Sequence, residues 1–137
     1  MKKLLFIILY TASLYAHHPE INYELIKEWC TTTDALGQED LIIFKTYLQD
    51  FKTFVDCCIQ NPQCVQTQDG KSLQNKLDQD VTEIMKHPSL RILYEKFTML
   101  IKEEVSNYKE TLVAEQRKKE YELLAEVITG CLTCITQ

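Results

Sequence analysis

Six cysteines, Cys30, Cys57, Cys58, Cys64, Cys131 and Cys134, constrain this chain more than any other feature of its 137 residues. An even number of cysteines in a small exported chain forms a disulfide framework, whereas the same thiols stay reduced in a cytosol. The N-terminus supplies the export condition. Residues 1–16 read MKKLLFIILYTASLYA, with a positive start at Lys2 and Lys3, a short apolar core from Leu4 to Tyr10, and small residues up to Ala16. That is the layout of a secretory signal peptide, cut after Ala16 or after Ser13. The apolar run is well short of the roughly 20 residues a membrane span needs. The reading is therefore a signal over residues 1–16 and a single helical domain over residues 17–137, exported to the periplasm or the extracellular space. No stable membrane anchor is expected after cleavage. A Lys-Lys start before a compact apolar core suits a bacterial signal.

Cysteine spacing limits the pairings. Cys57 and Cys58 are neighbours, and on a helix their side chains diverge by about 100°. They must bond different partners. Cys64 follows Asn61-Pro62, where the chain can fold back, so a short bridge from Cys64 to Cys57 or Cys58 is expected first. The two remaining bridges should tie Cys131 and Cys134 to the N-terminal half. Three bridges using all six cysteines are therefore expected.

The residues between the few glycines and prolines have helical period. Leu41, Phe44, Leu48, Phe51, Val55 and Cys58 recur at alternating spacings of three and four over Gln38–Gln60. This is the stripe of a strongly amphipathic helix. A shorter stripe, Ile21, Leu25 and Trp29, precedes it. Leu73, Leu77, Val81 and Ile84 predict a third helix over Ser72–Lys86, closed by Pro88, with residues 61–70 as a polar loop. Residues 89–129 contain no Gly or Pro. The absence of turn chemistry favours one long, kinked helix of about 60 Å over two shorter ones. The predicted fold class is all-α: a small disulfide-stapled helical bundle of four or five helices with a long C-terminal helix.

Chemistry is mostly excluded. Twenty acidic against fifteen basic residues give a net charge of -5, and losing the two leader lysines makes it more acidic. An acidic surface repels phosphate backbones and anionic headgroups, so nucleic acid is not a partner. The Cys131-Leu132-Thr133-Cys134 motif closes a helical stretch instead of opening one, and the dipole there disfavours a thiolate. It is not a redox site of the thioredoxin kind. Zinc at these thiols loses to oxidation in an exporting route, and haem attachment needs a His where Ile135 stands. His17-His18 reads as a polar terminus, and His87, before Pro88, as a cap or surface residue. The acid pairs Asp78 with Asp80 and Glu103 with Glu104 are read as solvated helix faces. No metal, cofactor or catalytic set is expected, and the protein is read as not an enzyme.

Two tyrosines remain as partner-surface candidates, Tyr108 and Tyr121, which border the polar run Glu115–Glu120. Tyrosine on an exposed helix edge is a good contact residue. The functional expectation is an exported, non-enzymatic binding protein whose partner is another protein of basic character. It would act as an inhibitor or immunity-like protein, or as a subunit of an assembly. The alternative is a carrier that holds an apolar small ligand inside the bundle.

Overall fold

The computed structural model describes residue 21, residues 23–109 and residues 116–135, all helix, turn or short connection. Five helices follow in order: α1 Tyr23–Thr32, α2 Gln38–Gln60, α3 Gln68–Met85, α4 Pro88–Lys109 and α5 Gln116–Ile135. Two 3-10 turns, Thr33–Ala35 and Cys64–Gln66, lead into α2 and α3. The signal-like residues 1–16 lie outside the described residues.

Local chemistry explains most ends. The hydroxyls of Thr31, Thr32 and Thr33 donate to the carbonyls of Glu28, Trp29 and Cys30 at 2.7, 2.6 and 2.7 Å. Such hydroxyl-to-carbonyl bonds occupy acceptor sites in the last turn of α1, where the helix gives way to the 3-10 turn. Helix α2 has the boundaries its stripe predicts, with Glu39 and Asp40 in the first turn, where the helix dipole favours acids. Asn61 closes it through an N–H donated to the Cys57 carbonyl at 2.9 Å.

Helix α3 begins at Gln68, four residues before the predicted start. Thr67 caps it: its Oγ accepts the Gly70 N–H at 3.0 Å. The Asp69-Gly70 pair therefore lies inside the first turn. Gly70 is needed there because a Cβ would collide with the Cys64 carbonyl. Pro88 opens α4 at a position where its missing N–H costs nothing.

The expectation of one long helix over residues 89–129 is corrected. Helices α4 and α5 pack against each other. Segments of one continuous helix seven or more residues apart lie at least about 10 Å apart along its axis, so they cannot. Helices α4 and α5 are separate and run in opposite directions, which the absence of Gly and Pro did not preclude.

Helix α2 is the spine, packed chiefly on α5 and then on α3. Helix α5 runs antiparallel to it. Tyr121 bonds Cys58 near the end of α2, while Thr129 shares a groove with Lys52 a turn and a half earlier. Helix α1 rests on α4 and α5. Ile21 and Trp29 of the predicted α1 stripe are buried. Ile26, Trp29 and Cys30 are buried on α1 while Leu25 is half-buried. On α5 Leu123, Val127, Ile128, Cys131 and Cys134 are buried.

Aromatic rings fill the centre. Phe44 and Phe97 are wholly buried and meet edge to face at 5.8 Å. Trp29 lies 5.7 Å from Phe44 and 5.9 Å from Phe97, and Tyr47 packs at 5.9 Å on Phe97. Such contacts contribute about 0.5–1.5 kcal/mol each beyond area burial. Three helices, α1, α2 and α4, are thus held at one point.

Candidate functional site

The cysteines divide into two bridges and two thiols. Cys30–Cys134 spans 104 residues and joins the end of α1 to the end of α5, with Cα atoms 5.7 Å apart. Cys57–Cys64 closes a seven-residue step between α2 and the turn before α3, at 6.0 Å. Cys58 and Cys131 are free and buried, so the expected three bridges become two. The reason is geometric. Cys58 sits beside Tyr121, and Cys131 is ten residues further along α5, about 15 Å away. A disulfide needs Cα atoms within about 7 Å. Bridges of this kind belong to an oxidising, extracytoplasmic setting.

Both thiols are chemically quiet. Burial pushes the Cys58 thiol up, against a smaller opposing effect of the Tyr121 hydroxyl that hydrogen-bonds it. Burial alone raises Cys131 well above its ordinary value. Of the two tyrosine candidates, Tyr121 is half-buried, packed on the core and turned towards Cys58. The side chain of Tyr108 lies outside the described residues. His87 is held between acids, with Nδ1 3.7 Å from Asp40 Oδ1 and Nε2 3.5 Å from Glu83 Oε1. It fastens the α3–α4 corner to the start of α2. Among the described residues no cluster of three His, Cys, Asp or Glu is placed to hold a metal ion. Nor is any described helix long and apolar enough to cross a membrane.

Two features that the sequence reading missed emerge from the packing. The first is a groove of about 280 Å³ between α1 and α4, lined by Leu25, Trp29, Met99 and Leu100 and by three charged residues, Glu28, Glu103 and Lys96. Met99 is 68 % exposed and Ile92, two turns earlier on α4, is 56 % exposed. Their seven-residue separation puts them on one helix face. That signal was present in the sequence, but α4 carries enough apolar residues for two faces.

The second is an acid pair between α2 and α3. Asp50 is buried, and Asp80 is half-buried within hydrogen-bonding reach of it. Lys76 pairs with Asp50 Oδ1 at 3.3 Å. The Oδ2 atoms of both residues are buried without a donor among the described residues. Burial, and then the neighbouring Asp50, raise the Asp80 carboxyl to about 7, with Lys76 opposing. Tyr47, beside Tyr94, is pushed far up, chiefly by burial. The reading of Asp78 and Asp80 as a solvated pair is therefore corrected. Asp78 is exposed, but Asp80 is three residues past Leu77 and four before Ile84, on the stripe itself. Likewise Glu103 is exposed and Glu104 is buried.

Comparison with protein-family models, with curated proteins and with solved structures finds no match. The functional reading rests on the geometry above.

Proposed function

We propose that the protein is an exported, non-enzymatic binding protein whose contact site is the α1–α4 groove. Its partner is a basic polypeptide with an apolar face, as an inhibitor, immunity-like protein or assembly subunit would meet. The carrying observation is the exposure of Met99 over a groove walled by Leu25, Trp29 and Leu100, where the acids Glu28 and Glu103 outnumber the single base Lys96. An unbranched, polarisable methionine adapts to the shape of a partner side chain. Carboxylates at the rim favour basic residues and speed their approach, while the apolar floor supplies affinity. Net negative charge acts in the same direction. The carrier alternative is less well supported, because the ring cluster around Phe44 and Phe97 occupies the bundle centre.

Trp29 is the chain's only tryptophan and lines the groove, so its fluorescence reports occupancy. The probe is a synthetic amphipathic helix of lysine and leucine. Binding should saturate, weaken with salt, and weaken about tenfold or more in Met99→Glu, which alters an exposed position. Equal binding by Met99→Glu, or an apolar small molecule retained in native mass spectrometry, would overturn the proposal.

A further inference from the structure

We propose that the contact between α2 and α3 is a proton-gated clasp, in which one proton held between Asp50 and Asp80 keeps α3 docked and its loss frees that helix. Two buried carboxyl oxygens, one on each helix, have no donor among the described residues. Two carboxylates this close repel, whereas a carboxylic acid and a carboxylate share a hydrogen bond. The proton itself is the missing donor.

The surrounding charges do not replace it. From α2 the pair is faced by Tyr47, and Tyr94 of α4 lies next to that ring at 5.6 Å. Burial holds the Tyr47 phenol far above its ordinary value, so that ring brings no charge. From α3 comes Lys76, committed to Asp50 Oδ1 and 60 % exposed, so solvent weakens its hold. The turn Cys64–Gln66 brings no charge. At the opposite end of α3, His87 lies between Asp40 and Glu83, away from the pair.

Helix α3 is the element such a device can move. Its sequence is polar, and its only fully buried residues are Gly70 and Ile84, with Leu73, Leu77 and Val81 half-buried. Elements with few buried apolar contacts open locally at low cost. Its first turn stays tethered through the Cys57–Cys64 bridge and the Thr67 cap. The helix is thus hinged at its start and latched midway by the acid pair. Acidification closes the latch, and a pH above about 7 releases it.

Amide hydrogen exchange between pH 5 and pH 8, corrected for the chemical rate, tests the clasp on the intact oxidised protein. The opening constant of α3 should rise by about tenfold or more relative to α2 and α5, the change expected for at least one pH unit of linkage. Asp80→Asn supplies a neutral donor and should keep α3 closed at both pH values. His87→Gln removes the imidazole, the other described group able to titrate in this range, and should leave the step in place. An α3 opening constant that does not change, that changes equally in Asp80→Asn, or that loses its pH dependence in His87→Gln overturns the proposal.

Discussion

The indole N–H of Trp29 donates to the main-chain carbonyl of Leu93, 64 residues away, at 3.4 Å. That contact fastens α1 to α4 from inside the ring cluster, since the same indole also meets Phe44 and Phe97. It sets the floor of the groove and the crossing of the two helices together. Truncation to Trp29→Ala should cost about 3–5 kcal/mol, because the cavity cannot close around rings held by α2. Trp29→Phe keeps most of the ring and loses the hydrogen bond, for a smaller loss of about 1–3 kcal/mol. Urea unfolding followed by circular dichroism ranks the two, and equal midpoints would show that the cluster is not cooperative.

The two disulfides close loops of very different length, so their removal should be unequal. On the chain-entropy model a loop of about 100 residues contributes roughly 4.7 kcal/mol and one of seven or eight roughly 2.5 kcal/mol. Cys30→Ser with Cys134→Ser should therefore destabilise more than Cys57→Ser with Cys64→Ser. The first pair ties the two ends of the described structure, and the second only the entry to α3. Thermal melts of both double variants, without reductant, give the order.

Cys58 and Cys131 are at 1 % and 0 % exposure, and burial raises both thiols, which depletes the reactive thiolate. Iodoacetamide should leave the native protein unlabelled and add two groups after unfolding without reductant. Mass spectrometry counts them. Zero groups after unfolding would mean that the two cysteines are bonded after all.

Gly70→Ala should be costly although the position is helical, where alanine usually stabilises. The added Cβ meets the Cys64 carbonyl, a backbone atom held by the adjoining bridge and unable to swing aside. A loss of about 1–3 kcal/mol is expected, the usual cost of forcing an atom into a packed site. If melting shows Gly70→Ala as stable as the parent, the turn is free to shift.

Much of this fold is legible in the chain, and the failures have a common physical origin. Helix α2 has six apolar residues in unbroken three-four spacing and hard stops at Gly37 and Asn61-Pro62, so period and boundaries coincide. Asp50 and Asp80 sit on the same kind of stripe, but a charge is assigned to solvent by default because burying it alone is expensive. Only the packing of α3 on α2 shows that each is the other's partner. The reversal between α4 and α5 was hidden for a related reason. Residues with good helix propensity allow a continuous rod, and burial of Leu123, Val127 and Cys131 against α2 outweighs that local preference. Disulfide pairing depends on distances that spacing alone does not contain, and the groove depends on which face of α4 meets α1.

Acidity should act on stability in two opposite senses. Asp80 has its folded value raised from an ordinary 3.8 to about 7, so the folded state binds the proton more tightly than the unfolded chain. Its penalty is absent below about pH 4, grows as pH rises through the interval to 7, and is complete above it. Glu83 behaves in reverse. Lys86 and then His87 depress its carboxyl below the ordinary 4.5, so its small contribution is present above that value and is lost as pH falls further. These two groups predict a melting temperature that increases from pH 8 towards pH 5 and turns down below about 4. Asp80→Asn should flatten the descent on the neutral side and leave the acid limb intact. Glu83→Gln should act only on the acid limb, and weakly, because its ion pair is exposed. Calorimetric melts across that range decide the matter: a neutral limb that survives in Asp80→Asn would place the responsible proton on another group.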